Sequence, residues 1–126
     1  MSIEQSQHTM NRYFEAMGKG QFQQFFTDDV TWTTIESGEE VTGPAAVQAA
    51  IIALHSQLSD VHTRRLVVTD GAAYIEGDGR RAQGGEPGRI SYCVAYDVDE
   101  DRITAMRAYG GLGAMTHKQS NDDTPV

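Results

Sequence analysis

Tyrosines, histidines and one strand-borne glutamate are the side chains of this sequence suited to acid/base chemistry. Glu76 lies in Ala72–Glu76, where strand alternation puts Tyr74 and Glu76 on one face and Ala73 and Ile75 on the other. On an apolar inner face its carboxylate would lose its water. Its pKa would then rise, and it could shuttle a proton near neutral pH. On an outer face it would meet solvent or pair with an arginine such as Arg64 or Arg102. Tyr13 is the second catalytic candidate. Met10, Tyr13, Phe14 and Met17 recur at i, i+3, i+4 and i+7, one apolar stripe of a helix, so the Tyr13 ring is buried. Its hydroxyl either donates to a substrate carbonyl or bonds within the core, to backbone, Tyr92 or Tyr96. Trp32 and Thr34 share a strand face, as do Tyr92, Val94 and Tyr96, and as do Met106 and Ala108. These faces read either as plain core or as an apolar pocket with a few polar points, the usual form of a small-molecule site.

Four histidines complete the inventory. His8 precedes the apolar stripe and His117 lies in the polar C-terminal segment. His55 follows Ile51 by four residues on a helix and could face the sheet, and His62 begins a strand near the pocket mouth as a substrate-binding candidate. Neither has an acidic or histidine partner at ligand spacing, so no metal and no cofactor is expected. The single Cys93 excludes an internal disulfide and alternates away from Tyr92 and Val94. The segment GDGRRAQGGEPG, 77–88, joins two strands and lacks the Gly-Lys-Ser/Thr of a phosphate loop. No Ser-His-Asp or Cys-His arrangement is readable.

The elements that must position these residues follow from the pattern. A first helix spans Ser6–Met17 and stops at Gly18-Lys19-Gly20. A short second helix covers Gln21–Phe26, with Phe22, Phe25 and Phe26 inward. Val30–Glu36 is a strand, Ser37-Gly38 a turn, and Glu39–Thr42 its hairpin partner. Pro44 opens a third helix that buries Val47, Ile51, Leu54 and Leu58. Two hairpins then follow: Val61–Thr69 with Ala72–Glu76 around Asp70-Gly71, and Ile90–Val98 with Arg102–Tyr109 around an acidic turn. Helices before an antiparallel sheet read as α+β, with a curved sheet and three helices enclosing a cavity. One domain is expected over 1–113, with 114–126 a disordered tail.

Composition sets outer bounds. The chain has 126 residues, 39% of them hydrophobic and 22% charged, which suits one globular domain. Eighteen acidic residues against ten basic ones give a net charge of −8, which disfavours nucleic acid and anionic membrane as partners. No apolar run approaches ~18 residues, and the start MSIEQSQHTM has no basic region followed by an apolar one. The expected location is cytoplasmic.

Two phrases carry a family likeness. RYFEAMGKGQFQQFFTDDVTW resembles the opening of the SnoaL-like, ketosteroid-isomerase-like superfamily, also called nuclear-transport-factor-two-like. YDVDEDRITAMRAYGG resembles its last hairpin, and Gly-Pro-Ala-Ala-Val its helix start. The likeness runs from about Gln7 to Gly111. It implies a cone-shaped sheet and a homodimer formed through that sheet. The fold hosts isomerases, polyketide-type cyclases, dehydratases, epoxide hydrolases and binders without catalysis. By resemblance to the isomerases, Tyr13 takes the place of the oxyanion donor. The proton-moving aspartate falls on Thr34 and the second donor on Val94, neither of which can do that work. Glu76 falls on a position that faces the cone. The expectation is therefore acid/base chemistry on an apolar carbonyl compound by Tyr13 and Glu76. Trp32, Thr34, His62, Tyr92, Val94, Met106 and Ala108 would line the site. Small-molecule binding without turnover is the alternative, and epoxide hydrolysis a weaker third reading.

Overall fold

The computed structural model describes residues 2–81 and 89–111. The 114–126 tail, His117 and the later part of the glycine-rich segment lie outside the described residues.

Helix α1 spans Ile3–Gly18, capped by Ser2, whose side chain accepts from the Gln5 N–H. Two buried polar positions beyond the expected stripe, Ser6 and Thr9, explain where it sits. Ser6 Oγ accepts from the Gly71 N–H at 3.0 Å, and Thr9 Oγ1 donates to the Glu100 carbonyl at 2.9 Å. The helix is thereby fastened to both hairpin turns, while Met10 and Tyr13 are fully buried against the sheet.

The expected second helix is a single 3-10 turn, Gln23–Phe25. Too few residues separate Gly20, with φ of +78°, from the next strand to offset the cost of nucleating an α-helix. The turn is held from outside instead. Gln48 Oε1 accepts from the N–H groups of Phe22 and Gln23 at 2.8 and 2.9 Å. Phe22, Phe25 and Phe26 all turn inward, as their spacing requires.

Strand β1 (Phe26–Thr34) makes a hairpin with β2 (Glu39–Thr42). Helix α2 (Pro44–Ser56) then carries the chain across the sheet, with Pro44 in its first turn and Val47, Ile51 and Leu54 buried. The remaining strands form a meander: β3 (Leu58–Thr69), β4 (Ala72–Arg81), β5 (Arg89–Asp99) and β6 (Arg102–Gly110). The sheet order is β2-β1-β6-β5-β4-β3. The purely antiparallel expectation is corrected at one place, where β1 and β6 run parallel. The α2 crossover starts the meander at the far edge, and three reversals bring β6 back alongside β1 in the same direction. The sheet is curved, mixed and unclosed, and the molecule is α+β, with two α-helices among the described residues where three helices were expected.

Strand β4 extends through Arg81, so 77–81 of the expected loop is strand. Glycine makes this possible on the inner face. A Cβ at Gly77 would lie 2.7 Å from the His62 carbonyl oxygen and 2.7 Å from the Tyr92 hydroxyl. The bare backbone gives the Tyr92 ring its seat, next to the register shift in β3 between Thr63 and Arg65. Replacing Gly77 by valine is expected to lower stability by about 1–3 kcal/mol, because backbone and ring must both move. Urea unfolding measures this, and an unchanged midpoint would contradict the close approach.

Candidate functional site

Between the inner face of the sheet and the two helices lies a cavity of about 390 Å³. Its walls are apolar, from Phe14 and Met17 on α1, Trp32 on β1, Ile51 and Leu54 on α2, and Ile75 and Val94 on the sheet. Six lining residues carry polar side-chain atoms able to direct a ligand: Tyr13, Trp32, His55, Thr63, Tyr92 and Tyr96. No described lining residue carries a permanent charge.

Tyr13 is the buried floor. Its ring lies 5.7 Å from Phe22, 5.8 Å from Phe26 and 6.0 Å from Tyr96, centroid to centroid. Its hydroxyl has one weak acceptor, the Met106 sulfur at 3.9 Å. Burial, with Tyr96 adding to it, holds this phenol well above the usual tyrosine range, so it is a donor and never a phenolate at neutral pH. Tyr96 is 5% exposed, and its hydroxyl makes no hydrogen bond to any described residue. Burial pushes its pKa strongly up too, with smaller contributions from Tyr92 and Cys93. Tyr92 is half-buried nearer the open end, raised first by burial and then by Asp78. Three protonated phenols thus share one apolar space.

His55 stands on the last turn of α2 at the mouth, partly exposed and partly set into the wall. Desolvation lowers its pKa below the usual imidazole value, so it is neutral at neutral pH. Its position four residues after the buried Ile51 was the sequence signal for it.

Glu76 is corrected. Tyr74 and Glu76 do share a face, as alternation demands, but Ile75 takes the cavity side and the pair points outward. The Glu76 carboxylate is 47% exposed and 3.4 Å from the Arg64 guanidinium. The reason is plain: of two adjacent residues with one inner place, the apolar isoleucine loses less by burial. His62 is corrected as well. It pairs across the strands with Asp78, on the face opposite Gly77, and its ring is 65% exposed and bonded to Asp60 at 3.0 Å. Trp32, Tyr92 and Val94 line the cavity as expected. Thr34, Met106 and Ala108 also point inward, but they are packed beneath it, 2%, 0% and 1% exposed, and do not line it.

On the outer face a carboxylate–arginine–carboxylate set does form, unseen in the sequence because its members are far apart. Arg89 reaches Asp78 Oδ1 at 2.7 Å through Nε and Asp60 Oδ2 at 2.8 Å, and Arg64 joins Asp78 from the other side. These contacts hold both aspartates below the usual carboxylate range, with the Arg89 hydrogen bond the first cause in each. The set ties β3, β4 and β5 together outside the cavity, so it gives no support to water activation on an epoxide held within.

The profile of the SnoaL-like domain family matches residues 10–106. No functionally curated protein matches the sequence. A steroid delta-isomerase from Pseudomonas aeruginosa is similar in structure, with a TM-score of 0.75 at 13% identity over 94% of this chain and 90% of that one. An NTF2-like protein from Cytophaga hutchinsonii has a TM-score of 0.67 at 20% identity, over 83% of this chain and 98% of the other. A de novo designed protein with a curved β-sheet reaches 0.73 at 14% identity over 95% and 96%. Such identities show the fold alone. The nuclear-transport-factor-two-like architecture expected from the resemblance is the one found.

Two measurements check the electrostatics. The His55 imidazole should titrate below the value of a histidine in the unfolded chain, read from its ring proton shifts; a higher midpoint would contradict the burial. Because the folded pKa is depressed, protonation favours unfolding, and this part of the stability is present above the unfolded value and lost as the pH falls from there through the folded value. Tyr96→Phe should leave the ligand-free protein no less stable, since it removes a buried hydroxyl with no partner among the described residues, whereas loss of a real hydrogen bond would cost about 1 kcal/mol in chemical denaturation.

Proposed function

The chain belongs to the SnoaL-like domain family, and from that premise we propose that its cavity takes an apolar small molecule with one hydrogen-bond-accepting oxygen, a carbonyl compound. The oxygen goes to the buried end, where Tyr13 and Tyr96 donate to it, and the apolar body fills the space towards Trp32, Leu54 and Ile75. The observation that carries this reading is the Tyr96 hydroxyl, buried in an apolar wall with no hydrogen-bond partner among the described residues. A buried donor without an acceptor costs about 1–3 kcal/mol, and an incoming carbonyl oxygen removes that cost. The same two donors would stabilise an enolate better than the ketone, which is the demand of acid/base catalysis on such a compound. Isomerisation, cyclisation or dehydration would each fit.

Isothermal titration with 2-tetralone, a two-ring enolisable ketone, tests the reading. Wild type is expected to bind it, and Tyr96→Phe to bind about tenfold more weakly, the worth of one hydrogen bond at the upper end of its usual range. Equal binding by both proteins would overturn the role of the phenol.

We also propose that the outer face of the sheet pairs with a second copy of this chain. Val67, Tyr74 and Tyr109 are 41%, 43% and 39% exposed there. Val67, Tyr74, Ala95 and Arg107 form one row across four paired strands, and Glu76, Cys93 and Tyr109 the next. The face carries both signs of charge, in the Arg64–Glu76 and Arg107–Asp97 pairs, so a two-fold copy can meet opposite charges. Light scattering should give a dimer mass for wild type and a monomer mass for Tyr74→Lys; a wild-type monomer at high concentration would contradict the pairing.

A further inference from the structure

We propose that His55, at the mouth of the cavity, is the group that takes and returns the proton of a bound ketone, so that the imidazole on α2 does the work expected of Glu76. The inference rests on the proposed function and names the missing base within it.

Proton abstraction needs a group in the cavity that is unprotonated at neutral pH. Glu76, Asp60 and Asp78 are on the other side of the sheet. The titratable groups that share the cavity with His55 are Tyr13 from α1 and Tyr92 and Tyr96 from β5. All three are held protonated by burial, and no described charged side chain lines the space. The carbonyl end of α2 favours the charged imidazole, but desolvation against the wall outweighs it. His55 alone among the described lining residues can accept a proton near neutrality. The placement also separates the roles along the cavity. Tyr13 and Tyr96 are buried, 0% and 5% exposed, whereas His55 is solvent-exposed and stands on a different element, α2.

The step balances without a co-reactant. The free ring nitrogen takes the proton from the carbon next to the carbonyl. The C–H electron pair becomes the enolate double bond, and the carbonyl pair moves onto oxygen, where the phenols donate to it. The imidazolium then returns its proton to carbon.

Deuterium exchange into 2-tetralone in heavy water, followed by mass spectrometry, reads this step whatever the natural substrate is. Wild type should accelerate exchange over buffer, with the rate rising along the imidazole titration and levelling off at lower pH than an ordinary histidine would give. His55→Gln should still bind the ketone by titration calorimetry yet exchange it at least about 100-fold more slowly. His55→Ala should regain exchange when free imidazole is added, a rescue that a purely structural histidine would not show. Undiminished exchange in His55→Gln overturns the assignment. Wild-type binding without exchange also overturns it while leaving the ligand cavity standing. No binding by wild type removes the cavity reading and the assignment with it.

Discussion

Tyr13 is where the fold and the site depend on each other. Its ring is wholly buried and meets rings from α1, the 3-10 turn, β1 and β5, so it locks the first helix to the sheet. That packing also fixes its hydroxyl against the cavity, where among the described residues a thioether sulfur is its one acceptor. A sulfur is a weak acceptor, so the hydroxyl keeps most of its capacity to donate. Moving the ring to satisfy the hydroxyl would break five ring contacts, and the packing therefore holds the phenol in an under-satisfied position.

Sheet curvature makes room for this arrangement. Flat strands under two helices would close on a solid core. Gly77 removes a side chain from the inner face, the register shift opposite bends β3, and Tyr92 lies in the gap. Helix α1 is meanwhile fastened to the two hairpin turns through Ser6 and Thr9. What remains is an apolar space with polar atoms at its two ends.

Much of the fold was legible because it rests on local patterning. The stripe of Met10, Tyr13, Phe14 and Met17, the proline at the start of α2 and the Asp70-Gly71 turn each act within a few residues. The parallel pairing of β1 with β6 was not legible, because it depends on which edge the α2 crossover reaches. The 3-10 turn escaped because its hydrogen bonds come from Gln48, distant in sequence. In the site, alternation identified which residues share a face but not which face is inner. For β5 the aromatic run decided correctly, and Tyr92 and Val94 line the cavity. For β4 the deciding fact was the apolar Ile75 beside Glu76, and reading a role from a family position inverted it. His62 failed for a related reason: the irregular pairing of β3 shifts the alternation.

The central claim is that phenols at the closed end of the cavity hold the oxygen of an apolar ligand. The carbonyl stretching frequency of bound 2-tetralone, by infrared difference spectroscopy, tests it most directly. The account predicts a band well below that of the ketone in a hydrocarbon solvent, moving back up in Tyr96→Phe. A band at the hydrocarbon frequency in wild type would mean that the oxygen meets no donor, and would contradict the account.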